Sequence, residues 1–176
     1  MTQYRRASVP GATWFFTVNL AERHGNRLLV DEIGTLRAAI RAVQAAHSFR
    51  IDAAVILPDH LHCIWTLPPG DSDFCTRWGL IKGNFSRSIQ KGEQRSQSRI
   101  KRGERGLWQR RFWEHLIRDE DDFRHHTDYI HWNPVKHGWV KRVVDWPHSS
   151  FHAYLQRGVY EANWGRVGIA EIEAGE

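Results

Sequence analysis

The chain has 176 residues, of which 41% are hydrophobic, and it carries a formal net charge of +5. This hydrophobic content excludes a disordered chain and fits a single folded domain, which we expect at residues 1–160, followed by an acidic tail at 161–176. Two cysteines exclude a disulfide framework, and no apolar run is long enough to span a membrane, so we expect a cytoplasmic protein.

The apolar pattern predicts elements in the order strand, helix, strand, strand, helix, strand, helix. Strands are expected at 13–20, 50–57, 60–67 and 111–118, where β-branched and aromatic residues are concentrated, and the second and third form a hairpin. Helices are expected at 31–47, at 73–90, from the acidic run 119–122 through Tyr129, and at 149–157. We therefore expect an α+β sandwich, with an antiparallel sheet of four to five strands and the helices packed on one face.

Nine tryptophans are distributed along the chain. Such residues are either core anchors or exposed platforms on which bases stack. We expect Trp78, Trp113 and Trp132, which lie within predicted elements, to belong to the core.

Positive charge is concentrated at residues 82–111. Ten lysines and arginines lie there against two glutamates, which gives this segment +8 and leaves −3 for the rest of the chain. The distribution favours a nucleic-acid partner, because basic side chains bind phosphates. The alternative is a solvated basic loop, and residues 91–106 are predicted to be a loop that is disordered without a ligand.

His60 and His62 flank Leu61 in the third predicted strand. Alternate side chains of a strand share a face, so both imidazoles can bind one metal ion. Taken alone, two such histidines are more often hydrogen-bonded surface residues than ligands. A metal site therefore needs support from elsewhere in the chain.

Tyr129 and Asn133 supply this support, because they are four residues apart and share one face of a helix. If that face packs on the histidine face of the sheet, the four side chains meet. Asn133 then offers an amide oxygen as a third ligand for Mg²⁺ or Mn²⁺, and Tyr129 is a nucleophile for phosphoryl transfer. Pro134 opposes a regular helix here, so Asn133 either precedes a kink or caps a second short helix.

Several motifs resemble those of the REP-associated tyrosine transposases, a group of single-tyrosine HUH enzymes. The segment Pro58-Asp59-His60-Leu61-His62 is similar to their HUH motif, in which a bulky hydrophobic residue separates two histidines. The segments 108–115, 129–138 and 146–150 are similar to further motifs of the family and keep their order.

The resemblance implies a ferredoxin-like HUH endonuclease fold. It implies a metal-dependent endonuclease and strand-transferase that acts on single-stranded DNA at hairpin-forming repeated palindromes. His60, His62 and Asn133 would bind the divalent metal, Mg²⁺ or Mn²⁺, and Tyr129 would form a 5′-phosphotyrosine intermediate. It also implies a monomer, with a homodimer as the alternative.

Basic residues near the predicted site are the candidates for contact with DNA. They are Arg5, Arg6, Lys82, Arg87, Arg110, Arg111 and Lys136. Two other functions remain open: a rolling-circle type nickase with the same chemistry, and a non-catalytic protein that binds nucleic-acid hairpins. The short chain leaves no helicase or primase module, which argues against the nickase.

Overall fold

The computed structural model describes residues 8–165, so the candidate DNA contacts Arg5 and Arg6 lie outside the described residues. The strands are β1 (Thr13–Asn19), β2 (Arg50–Ile56), β3 (His60–Thr66) and β4 (Trp113–Leu116). The helices are α1 (Leu28–Asp31), α2 (Ile33–Ala46), α3 (Phe74–Ser88), α4 (Gln97–Lys101), α5 (Glu120–Lys136) and α6 (Phe151–Gln156), and a 3-10 helix covers Val143–Asp145. The predicted strands and helices are confirmed, and α1 and α4 are additional.

The four strands form one antiparallel sheet in the order β2-β3-β1-β4. With α2 and α3 as the connections, this is the βαββαβ arrangement of the ferredoxin-like fold, which the family resemblance implies. In the pairing of β1 with β3, Thr17 lies opposite His62 and Asn19 lies opposite His60. On its other side, β1 pairs with β4, and Thr17 lies opposite Trp113.

One face of the sheet is covered by α2 and α3. Trp14 and Phe16 of β1 pack there against Trp65 of β3 and Trp78 of α3. The indole rings of Trp65 and Trp78 stack with centroids 4.2 Å apart. This is the larger of the two apolar clusters, and its burial supplies most of the hydrophobic stabilisation of the sheet.

The other face of the sheet is covered by α5. Phe15 and Ile64 of the sheet pack there against Tyr129 and Ile130 of the helix. The expectation that all helices pack on one face is therefore wrong, because it holds only for α2 and α3. Every residue from 14 to 18 is buried, as expected of a strand that is covered on both faces.

Both ends of α5 are fixed by local hydrogen bonds. The Asp119 carboxylate accepts from the backbone N–H of Asp122 at 2.8 Å, and three acidic residues occupy the first turn, as the sequence predicts. At the other end, Gly138 has a φ of +71°, and the N–H of Trp139 donates to the Pro134 carbonyl at 2.9 Å, which is a Schellman ending.

Pro134 lies inside α5, which continues to Lys136. The expectation that Asn133 caps a second short helix is therefore wrong, because one helix runs through both residues. The alternative, a kink at this point, stays a prediction. Pro134 is close enough to the end of α5 that only Val135 and Lys136 follow it in the helix. Among residues 8–165, no helix is long and apolar enough to cross a lipid bilayer.

Candidate active site

His60 and His62 lie side by side at the beginning of β3, on the face that α5 covers. Their ring centroids are 5.0 Å apart and the ring planes are nearly perpendicular. Both side chains are buried, and within the described residues neither Nε2 atom has a hydrogen-bond partner. Buried polar atoms are rarely left unpaired in proteins, so the two Nε2 atoms point to a ligand.

The Nδ1 atoms of these histidines are each held by a neighbouring side chain. Thr17 Oγ1 lies 2.9 Å from Nδ1 of His62, and Asp59 Oδ1 lies 2.6 Å from Nδ1 of His60. Arg23 donates to the other Asp59 oxygen at 2.7 Å. These contacts hold both rings through Nδ1 and leave Nε2 as the nitrogen without a partner among the described residues.

The pKa values of His62 and Asp59 are both shifted, and they set the charges around the histidine pair. Burial lowers the pKa of His62 well below its usual range, so its imidazole is neutral and able to bind a metal ion. Burial alone would raise the pKa of Asp59, but hydrogen bonds from His60 and Arg23 outweigh it and lower that pKa to about 2. Asp59 is therefore an anion beside His60.

Three residues at four-residue steps share one side of this helix: Tyr129 and Asn133 within α5, and His137 at its C-cap. The Tyr129 ring lies 5.2 Å from the His62 ring, and the His137 ring lies 5.2 Å from the His60 ring. Asn133 is one turn from each of them on the same face and is fully buried. Asn133 thus lies between the two residues whose rings meet the histidines.

The side-chain amide of Asn133 is also unpaired. Neither its Oδ1 nor its Nδ2 has a hydrogen-bond partner in the described part of the chain. Two imidazole nitrogens and one amide oxygen, all buried and unpaired, form a donor set that suits a divalent cation of the Mg²⁺ or Mn²⁺ type. The residues thus fit the metal that the sequence implies.

Tyr129 is enclosed by aromatic and basic side chains. Its ring contacts His62 and lies edge-on to Phe15 at 6.0 Å. The Lys136 ammonium lies 4.9 Å from the centroid of the same ring. Tyr129 is only 1% exposed, so a DNA phosphate must enter the space between α5 and the sheet to reach it.

The other candidate DNA contacts lie to the side of this site. A cleft of about 560 Å³ runs between α3 and residues 102–110, and its lining includes Lys82, Arg87 and Arg110. Its wall is joined to the site, because the N–H of Gln109 donates to the carbonyl of Asn19 at 3.0 Å, and Asn19 lies opposite His60. Arg111 follows at the surface.

The basic loop 91–106 differs from the expected disordered segment. It contains α4, and Arg105 is held inside it by a salt bridge to Glu93 and by a hydrogen bond to the Ile89 carbonyl at 3.0 Å. The hydrogen bond from Arg105 lowers the pKa of Glu93 to about 2. Arg105 thus anchors the loop, and its guanidinium is not available for phosphates in this conformation.

A second group of possible metal-binding side chains joins β4 to α5. Nε2 of His115 lies 2.9 Å from Oδ2 of Asp122, and Nδ1 of His126 lies 3.0 Å from Oδ1 of the same carboxylate. Arg118 donates to this carboxylate through its backbone N–H at 3.0 Å and its Nε at 3.2 Å. Because Asp122 already accepts from these groups, we interpret the cluster as a joint that fixes α5 on the sheet.

Sequence reasoning missed two residues of the site. Thr17 carries no local signal, because its place opposite His62 depends on the register between β1 and β3. His137 does carry one, since it follows Asn133 by the same four-residue step that separates Asn133 from Tyr129. That repeat could have placed His137 beside the histidine pair.

Comparison with known proteins gives two close relatives. The REP-associated tyrosine transposase of Escherichia coli K12 is 48% identical over 176 residues, which cover 100% of this chain and 98% of that protein. A putative REP-associated tyrosine transposase of Haemophilus influenzae is 43% identical over 166 residues, with 94% of each chain covered. No protein-family model matches the chain.

A solved structure is similar along the whole length. It is described as a REP-associated tyrosine transposase bound to a REP hairpin, and it matches with a TM-score of 0.83 and 48% identity. The match covers 100% of this chain and 98% of that one.

Proposed function

Because this chain belongs to the REP-associated tyrosine transposases, we propose that it cuts and rejoins single-stranded DNA at hairpin-forming repeated palindromes. One observation carries the proposal: the Tyr129 ring of α5 lies 5.2 Å from the His62 ring of β3, and Asn133 is buried one helical turn from Tyr129. A phenol and three unpaired donor atoms would then share one buried space. The REP hairpin bound by the similar solved structure is the kind of substrate that we infer for this chain.

His60, His62 and Asn133 would hold the divalent metal through Nε2, Nε2 and Oδ1. A cation at this position polarises the scissile phosphate and stabilises the charge that develops on it. Thr17 and Asp59 keep the two rings oriented, so the site is assembled before DNA arrives. Whether the cell supplies Mg²⁺ or Mn²⁺ does not change these roles.

Tyr129 is the proposed nucleophile. Its oxygen attacks phosphorus, the new bond from oxygen to phosphorus forms, and the bond from phosphorus to the 3′ oxygen breaks. The phenol loses one proton and the departing 3′ oxygen gains one, so no proton is consumed overall. The 5′ phosphate stays on Tyr129, and attack by another 3′ hydroxyl reverses the step and joins two strands without ATP.

Lys136 is placed to act on the same phosphate. Its ammonium lies against the Tyr129 ring, one turn beyond Asn133. A phosphate that approaches the phenol therefore meets a positive charge, which favours its binding and compensates for the negative charge that it brings into a buried space. The cleft lined by Lys82, Arg87 and Arg110, on the α3 side of the sheet, would bind further phosphates of the same DNA.

A labelled REP hairpin with single-stranded flanks tests the proposal. In the presence of Mn²⁺ the protein should form a covalent adduct that survives a denaturing gel, and a chelator should prevent it. Tyr129→Phe should lose the adduct and keep binding within about threefold, because only the hydroxyl is removed. Tight binding by the wild-type protein without any adduct would instead favour a non-catalytic hairpin binder.

The double variant His60→Ala and His62→Ala separates the metal from the nucleophile. It should form no adduct although Tyr129 is intact. An undiminished adduct in this variant would contradict the role of the histidines. The monomeric state and the cytoplasmic location expected from the sequence remain predictions, and light scattering of the purified protein tests the first.

A further inference from the structure

Trp113 lies at the surface, in contrast to the expected place in the core. It is the first residue of β4, the edge strand of the sheet, and 36% of it is exposed. Trp78, by comparison, is 1% exposed. The other three residues of β4 are partly buried, so Trp113 is the one exposed side chain of this strand.

The position of Trp113 connects it to the active site. Thr17 lies between Trp113 and His62 in a single row across β4, β1 and β3, so the two side chains share a face of the sheet. The Phe15 ring joins them: it lies 5.6 Å from Trp113, edge-on, and 5.7 Å from His62, stacked. The exposed indole is thus part of the wall of the catalytic face.

The plane of the indole is also fixed. The His115 ring lies 8° from parallel to it, with centroids 5.8 Å apart. His115 in turn is hydrogen-bonded to Asp122 of α5 at 2.9 Å. An aromatic ring held in one orientation loses little conformational entropy when a flat ligand stacks on it.

We propose that Trp113 is a stacking platform for an unpaired base of the DNA strand that enters the active site. The proposal rests on the proposed function and adds a contact to it. A base suits the surface better than a protein partner does, because the exposed Arg111 lies two residues away and favours an anionic backbone. Base stacking on an aromatic ring is tolerant of sequence.

Geometry gives an approximate position for this base. Two strand spacings separate β3 from β4, which corresponds to about 10 Å between the backbones of His62 and Trp113. Stacked nucleotides rise by about 3.4 Å each, so the base is roughly one to three nucleotides from the scissile phosphate. Trp113 would then position the strand beside Tyr129 without touching the reacting atoms.

Binding of a REP hairpin with single-stranded thymidine flanks tests this inference. Trp113→Ala should weaken the affinity by roughly five- to a hundredfold, and Trp113→Phe, which keeps an aromatic face, should stay within about threefold of wild type. Trp139→Ala is the matched control, since Trp139 is 44% exposed but follows α5 and contacts Trp146. It should leave the affinity unchanged, and equal losses for Trp113→Ala and Trp139→Ala would overturn the inference.

Abasic substitutions in the flank make the test specific. One abasic position should weaken binding to the wild type but not to Trp113→Ala, because both changes remove the same contact. Additive losses at every position would overturn the platform. So would light scattering that shows a wild-type dimer and a monomeric Trp113→Ala, since a second copy would then cover the ring.

The two proposals fail in different ways. If no adduct forms but the abasic position and Trp113 are coupled, the chemistry of Tyr129 is refuted and the platform stands. If the adduct forms and no coupling exists, the platform alone is refuted.

Discussion

Thr17 and His62 face each other across β1 and β3, with Thr17 Oγ1 2.9 Å from His62 Nδ1. In the tautomer that binds a cation through Nε2, Nδ1 carries the proton and donates it to Thr17. The Thr17 hydroxyl can accept this proton, so the contact is compatible with the tautomer that the proposed metal site requires, and it holds the ring in place. A second threonine on the same face, Thr13, makes a similar contact to Thr66 at 2.8 Å, far along the strand from the histidines.

Thr17→Val should consequently weaken metal binding by about 10- to 100-fold, because it removes the group that orients a ligand. Isothermal titration with Mn²⁺ measures the effect. Thr13→Val is the matched control, the same change in the same strand, and should leave the affinity for Mn²⁺ unaltered. Equal affinities for the two variants would show that Thr17 does not orient His62.

Asn133→Leu should have opposite effects on stability and on metal binding. The substitution removes two buried polar atoms that have no partner among the described residues, so without metal the free energy of unfolding should stay the same or rise by about 1 kcal/mol. Binding of Mn²⁺ and adduct formation should be lost. Urea denaturation and titration with Mn²⁺ measure the two quantities.

The variant Asn133→Asp provides the control, because a carboxylate is also an oxygen ligand and should keep Mn²⁺ binding. A strong loss of stability in Asn133→Leu together with unchanged metal affinity would assign Asn133 a structural role instead.

The sequence predicts those parts of the site that depend on local periodicity. Alternation along β3 places His60 and His62 together, and the four-residue step places Tyr129 with Asn133. The partners of these residues depend on strand register, which no local pattern contains, and so Thr17 was not predicted.

The errors in the prediction also concern tertiary structure. Trp113 is a large apolar residue in a predicted strand and was therefore expected in the core, but β4 is an edge strand and leaves it exposed. Arg105 lies in the basic segment that was expected to bind phosphates, but Glu93 and backbone carbonyls bind its guanidinium. In both cases the side chain alone does not reveal whether it faces solvent or protein.

Arg87→Gln should lower the affinity for DNA in a salt-dependent way. Arg87 is exposed and lines the cleft between α3 and residues 102–110, where it would neutralise one phosphate. Loss of one such contact should reduce the slope of log affinity against log salt by about 0.7 to 0.9. Fluorescence anisotropy at several salt concentrations measures it.

The control for this prediction is Arg50→Gln. Arg50 begins β2 and lies opposite Thr66, at the end of the sheet away from His60. Arg50→Gln removes the same charge as Arg87→Gln, but at a position away from the cleft. It should therefore leave the slope of log affinity against log salt unchanged. Equal slopes for Arg87→Gln and Arg50→Gln would mean that the cleft does not bind the DNA backbone.

Asp122→Asn should destabilise the protein at neutral pH and lose this effect in acid. Burial alone would raise the pKa of Asp122, but hydrogen bonds from His115 and Arg118 lower it from 3.8 to about 2. A carboxylate with a lowered pKa contributes stability above pH 3.8, and this is lost as the pH falls from 3.8 towards 2. The shift corresponds to about 2 kcal/mol.

Urea denaturation of the wild type and of Asp122→Asn at several pH values between 7 and 2.5 measures this effect. The difference between their free energies of unfolding should be constant down to about pH 4 and then shrink. A difference that stays the same throughout would mean that the charge of Asp122 does not hold β4 to α5.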